Sequence, residues 1–193
     1  MKKVRRLIFV IAAIVSLAAT ATAFADSLQF RTKLSAHQEV MPVGVINNSH
    51  ARGKAEFKLS KDGTALHYKL DVSNINNVFM AHIHLAPVGV NGPIVVWLFP
   101  STAPVPGPAG QGRFNGKIAE GTITAADFVG PLAGHPLSDL VDAIQAGNAY
   151  VNVHTNDGVA PTNTGPGDFP GGEIRGQLSV HDHEHGDDHG HDH

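Results

Sequence analysis

Through residues 26–180, apolar and polar side chains alternate with a period of two. Ala55, Phe57 and Leu59 interleave with Lys54, Glu56 and Lys58, and Leu66, Tyr68, Leu70 and Val72 interleave with His67, Lys69 and Asp71. That alternation marks strands with one face in a core and one in water. Ser60-Lys-Asp-Gly63 lies between the two runs, and Asp-Gly is a hairpin turn signal. Further strands are predicted over 28–36, 77–85, 93–99, 113–120, 149–155 and 173–180, separated by Gly, Pro and Asn. About eight short strands with such turns predict a mainly β fold, an antiparallel Greek-key sandwich or barrel.

One stretch has a different period. Leu137, Leu140, Val141 and Ile144 recur at helical spacing, after Pro136 and before Gly147. They predict a single short helix of about three turns, with these side chains in the core. Thr124-Ala-Ala-Asp127 has the form of a capping box, with Asp in place of the usual Glu, and predicts one turn. Two connections, 100–112 and 156–172, are rich in Gly and Pro. Loops of that length without structure of their own are uncommon, and they are often functional or mobile.

The two ends read differently from the body. Lys2, Lys3, Arg5 and Arg6 precede an apolar run from Leu7 to Ala19, and Ala23-Phe24-Ala25 has the small-x-small pattern of a cleavage site. Residues 1–25 are therefore expected to be a signal peptide, cleaved after Ala25, with export to the periplasm or beyond. The apolar run is shorter than the roughly 20 residues of a membrane span, so no span is expected in the mature chain. The other end, 181–193, holds His181, His183, His185, His189, His191 and His193 among five acidic residues and no apolar one. It is expected to be a disordered tail that collects divalent ions such as zinc, copper or nickel.

Composition narrows the function. The chain has 193 residues, 13 histidines and no cysteine, which excludes a disulfide framework, a thiolate zinc site and a cysteine nucleophile. Residues 1–25 carry four of the 14 basic residues and none of the 17 acidic ones. The mature chain is thus acidic, with no basic stripe for a phosphate backbone, and nucleic acid is not an expected partner.

The histidines in the body form a pattern. In Ala81-His82-Ile83-His84, period two places His82 and His84 on one face, with Cα atoms roughly 6.5 Å apart. Ile83 points the other way. In Tyr150-Val-Asn-Val-His154, Val151 and Val153 point inward while Asn152 and His154 face out. If the two strands are neighbours, His82, His84 and His154 make a three-His site on the outer sheet face, open to solvent on one side. Glu173, at the head of Glu173-Ile-Arg-Gly-Gln177, is a candidate fourth ligand or an acceptor that fixes an imidazole tautomer. Asn152 faces the same way, and Arg175 is placed either to attract an anion or to pair with Glu173. A structural polar cluster is the competing reading. His37, His50 and His67 sit on polar faces or in loops, His135 is placed to cap the helix, and all four read as surface residues rather than ligands.

These segments carry a resemblance. Glu39-Val-Met-Pro42, Ala81-His-Ile-His84 followed by Gly89-Val-Asn-Gly-Pro93, Ala146-Gly-Asn-Ala-Tyr-Val-Asn-Val-His-Thr155 and Gly171-Gly-Glu-Ile-Arg-Gly-Gln177 resemble, in order and spacing, a CHRD domain. That module is named from chordin and is also found alone in exported bacterial proteins. Met41 departs from the more usual proline, and loop 156–170 is longer than typical. The resemblance covers 28–180 and implies a β-sandwich without assigning an activity. A weaker one concerns the site alone. His-x-His on one strand with a later Val-x-Val-His is similar to the copper ligands of copper–zinc superoxide dismutase. That enzyme's bridging histidine, zinc ligands and cysteines have no counterparts here.

The expected function is a secreted module that binds copper or zinc through His82, His84 and His154, since three imidazoles leave an open position. Two alternatives stand beside it. One is a copper-dependent superoxide or redox enzyme, with Arg175 steering the anion. The other is a non-catalytic structural or adhesive module with an extracellular protein or surface as partner. A binding module is favoured over an enzyme, and no nucleophile elbow or carboxylate pair supports hydrolysis.

Overall fold

The computed structural model describes residues 28–100 and 104–181. The leader and the tail from Asp182 onward lie outside these described residues. Strands β1 (Gln29–Ser35), β2 (Arg52–Leu59), β3 (Leu66–Asn76), β4 (Val78–Leu85), β5 (Ile94–Phe99), β6 (Arg113–Ile123), β7 (Ala149–Thr155), β8 (Ile174–Gln177) and β9 (Ser179–Val180) form one sheet. Its order is β5-β4-β7-β8-β1-β2-β3-β6, with β9 also on β1, and every pairing is antiparallel. The predicted strand over 173–180 is divided at Leu178, whose buried side chain joins the core while its N–H donates to Ala149 O. That division accounts for nine strands where eight were expected.

The sheet curls into a nearly closed barrel. Past β6 the chain makes two 3-10 turns, Ala125–Asp127 and Gly130–Leu132, the first held by the Thr124–Asp127 capping box predicted from the sequence. Phe128 then bridges Val96 of β5, and Val129 N–H donates to Val95 O at 3.0 Å. Across the same seam the Tyr68 hydroxyl of β3 donates to Leu98 O of β5 at 2.9 Å. The expected hairpin joins β2 to β3, with Gly63 at φ +72° and the Asp62 carboxylate accepting from Ser60 Oγ, Thr64 N–H and Thr64 Oγ1.

Alternation places Phe30, Leu34, Ala55, Phe57, Leu70, Val72, Ile83, Val151 and Val153 in one core inside the curl. Helix α1 (Leu137–Gln145) turns Leu137, Leu140, Val141 and Ile144 into that core, as their spacing predicts. It ends at Gly147, whose φ of +71° suits a residue without a side chain.

The outer face of β4, β7 and β8 departs from expectation. The sequence predicts it open to water, yet every residue of β7 is buried. Three connections fold back over it: 36–51, 86–93 and 156–173. They are tied to the sheet and to one another by side-chain bonds to backbone. Asn91 Nδ2 donates to Val40 O at 2.9 Å, Asn47 Nδ2 to Glu173 O at 2.8 Å, and Thr155 Oγ1 accepts from Phe169 N–H at 3.0 Å.

Candidate metal centre

The ladder between β4 and β7 sets the site. His82 lies opposite Asn152, His84 opposite Tyr150 and Met80 opposite His154. Residues directly opposite share a face, so all six point away from Ile83, Val151 and Val153. Flanking strands extend one row across the sheet, with Trp97 of β5 opposite His82 and Arg175 of β8 opposite Asn152.

The three histidines named from the sequence come together, with one ring nitrogen from each lying within 4.8 Å of the others. Their exposures are 0% for His82, 7% for His84 and 5% for His154. The site is therefore enclosed by the loops, which corrects the expectation of a solvent-open patch.

The hydrogen bonds dictate the tautomers. His84 Nδ1 lies 2.8 Å from Gly92 O and His154 Nδ1 lies 2.9 Å from Pro170 O. A carbonyl only accepts, so both Nδ1 atoms carry the proton and both Nε2 atoms present lone pairs. His82 Nδ1 lies 3.0 Å from His154 Nε2. It must therefore be the donor, which leaves His82 Nε2 bare. His82 Nε2 and His84 Nε2 are buried and have no hydrogen-bond partner. An orphaned buried acceptor costs about 1–3 kcal/mol, and the cluster carries two of them.

Electrostatics keep the rings neutral. Burial, reinforced by His154 and His84, pushes His82 down to about 2. Burial pushes His154 down to about 4, against the opposing pull of the Pro170 carbonyl. His84 is also lowered, chiefly by burial. Two imidazole nitrogens on one ion at about 2.0–2.1 Å stand roughly 3.0–3.4 Å apart, and the His82–His154 separation falls in that range. Bringing the third nitrogen in takes a side-chain adjustment of about 1 Å.

Aromatic contacts hold the rings. Trp97 meets His82 edge-on at 4.2 Å between centroids, and Tyr150 stacks on His84 at 4.9 Å and 11°. Tyr150 is in turn covered by the Arg175 guanidinium, 3.4 Å from its ring centre.

The other candidates stand elsewhere. Glu173 is buried outside the histidine group. Its carboxylate accepts from Ser49 Oγ, from Thr155 Oγ1 at 2.6 Å and from Gly167 N–H at 2.8 Å. Arg175, 1% exposed, donates to Val90 O, Asn91 Oδ1, Pro87 O and Gln177 Oε1. It therefore clamps loop 86–93, and no ion pair joins it to Glu173. Asn152 remains beside the site, next to His84 and Glu39. Of the tail, only His181 is described; its N–H donates to Gln29 O at 2.8 Å. His37, His50, His67 and His135 are exposed.

Sequence reasoning overlooked Glu39 and Trp97. Glu39 sits in a motif quoted for the family resemblance, as a lone acid after an apolar strand. Trp97 becomes visible only when the β4–β5 register is placed, because its outward position then faces His82.

The family model of the CHRD domain matches residues 30–178. The chain belongs to the CHRD family. Comparison with curated proteins and with solved structures gave no match. Within this CHRD domain, His82, His84, His154, Asn152 and Glu173 all fall inside the matched span. So do the three loops that enclose them. Among the described residues, no helix is long and apolar enough to cross a membrane.

Proposed function

We propose that this CHRD domain is an exported module that holds one copper or zinc ion through His82, His84 and His154. One observation carries the reading: three buried neutral imidazoles turn ring nitrogens toward one point, and two of those rings hold buried lone pairs without a partner. Nitrogen donors without a carboxylate among them suit copper and zinc, while magnesium and calcium demand oxygen. The backbone acceptors Gly92 O and Pro170 O fix ring orientation in the way that outer-shell partners do in metal sites. The leader 1–25 supports export, and the histidines of the tail supply a second collecting element. Metal analysis on the full chain with His183, His185, His189, His191 and His193 changed to Asn tests this. One tightly held Cu(II) or Zn(II) is expected, and it is lost in His82→Ala. Absence of a tight ion in the parent overturns the reading.

A second reading, a structural extracellular module, is favoured by the bonds of Glu173 and Arg175. Both hold loops in place without any ion. Cooperative unfolding of metal-free protein at the same temperature as the metal-loaded form would select it over the first.

A further inference from the structure

Cations that lie scattered along the sequence gather on one face of the fold. Outward positions of β1, β2 and β3 carry Arg31, Lys33, Arg52, Lys54, Lys58 and Lys69, against Glu56 and Asp71 as the acids. Both acids are already held, Glu56 by Lys54 at 2.7 Å and Asp71 by Lys69 at 2.9 Å. Among the described residues, Arg31, Lys33, Arg52 and Lys58 make no ion pair with a carboxylate. A chain of net charge −3 thus carries a cationic sheet face. Alternation hides that face in the sequence, because each charge stands between core residues.

The tail starts on this face. Strand β9 pairs with β1, and His181 N–H continues the pairing to Gln29 O at 2.8 Å. Arg31 Nη1 donates to His181 Nε2 at 3.3 Å. Gln29 stands opposite Lys58, and Lys58 opposite His67, so one row across the sheet runs from His181 to His67. A groove of about 290 Å³ follows that row, with Gln29, Arg31, Lys58, His67, Lys69 and His181 on its walls.

Residues 182–193 hold five carboxylates and no Lys or Arg. With strands about 4.8 Å apart, Lys58 is roughly 10 Å from the root of the tail. The tail's length reaches up to about 40 Å. Exposed ion pairs are individually weak, but a tethered segment meets its own face at an effective concentration on the order of millimolar. A free polyanion has no such advantage.

We infer that the acidic tail 182–193 docks back on the cationic outer face of β1–β3, its carboxylates against Arg31, Lys33 and Lys58, and so covers that face. The inference stands apart from the three-His reading and needs no metal ion.

The chain has no cysteine, so Gly190→Cys gives a unique attachment point for a nitroxide. The full chain, stripped of metal and labelled there, is read by amide NMR at roughly 10 mM and 1 M salt, between which the Debye length falls from about 30 Å to about 3 Å. At low salt the amides of 31–33, 56–58 and 67–69 should broaden far more than those of helix α1, which also neighbours β9. High salt should abolish the difference. Changing Arg31→Gln, Lys33→Gln and Lys58→Gln together should abolish it at low salt. Equal broadening of helix and face, or a pattern that neither salt nor the triple variant alters, overturns the inference. So does broadening of an isotope-labelled chain without nitroxide by chains that carry one, which would seat the tail on a second copy. Should the triple variant fail to fold, the salt dependence decides.

Discussion

His82 Nδ1 and His154 Nε2 meet at 3.0 Å across 72 positions of sequence. In the metal-free protein this contact is a hydrogen bond between two neutral rings, and an ion must replace it. The proton on His82 has a place to go, since Nε2 of the same ring is bare. Binding at pH 7 should therefore release no proton from the domain. Calorimetry of Zn(II) binding to tail-substituted protein in buffers of different ionisation enthalpy should give equal heats after correction for buffer–metal binding. Release of one proton or more per ion would show a charged imidazole in the apo site.

Acid should unfold the domain through the same rings. Burial holds His82 at about 2 and His154 at about 4 in the folded state, against an ordinary 6.5. Between those values the unfolded chain binds protons that the folded chain does not, so stability rises with pH and levels off above about 6.5. Each ring contributes up to about 1.4 kcal/mol per pH unit within its window. Urea midpoints of metal-free protein should fall from pH 6.5 to pH 4.5, and His154→Gln should flatten the slope.

Much of the fold and of the site is legible in the order of the residues. Period two in 54–59 and 66–72, the Asp-Gly turn and the spacing of Leu137 to Ile144 report local geometry, and the strands, hairpin and helix follow them. The shared face of His82, His84 and His154 comes from the same rule, because strands β4 and β7 do pair. Enclosure of that face is not legible. It depends on loops 36–51, 86–93 and 156–173, whose paths are set by single bonds such as Asn91 to Val40 O and His154 to Pro170 O. Such bonds leave no periodic trace. Arg175 illustrates the gap. Its outward position suggests a surface cation, yet its donors are taken up by carbonyls 84 to 88 residues away.

Glu173 should behave as a latch. Its carboxylate joins Ser49 of one loop, Gly167 of another and Thr155 of β7. Glu173→Ala leaves these buried donors unsatisfied and should cost about 3 kcal/mol or more. Hydrogen exchange should quicken across 163–169. Copper stoichiometry of the still-folded fraction should be unchanged. Loss of the ion without loss of stability would make Glu173 a ligand.

Arg175 should matter to loop 86–93 and, through Tyr150, to His84. Arg175→Met keeps some stem packing but abandons the carbonyls of Pro87 and Val90. The expected loss is about 3 kcal/mol, with faster exchange at residues 88–91. Arg175→Lys should recover only part of it, because one ammonium cannot reproduce the guanidinium fork or its stacking on Tyr150.

The domain and the tail should part company as pH falls. The tail histidines stand among acidic residues with no apolar side chain to bury them. Imidazole changes charge between about pH 5 and 8, so in a histidine tract with nothing to bury it protons compete directly with metal. In the domain, burial has already suppressed that competition for His82 and His154. At pH 7.5 the full chain should carry more than one equivalent of Cu(II), and removal of residues 182–193 should leave one. At pH 5.5 the full chain should fall to about the same single equivalent, because bound metal also opposes acid unfolding of the domain. Metal content measured after dialysis at the two pH values distinguishes the sites. A domain that empties before the tail would mean that its histidines are not the tighter ligands, and that the enclosed cluster serves structure alone.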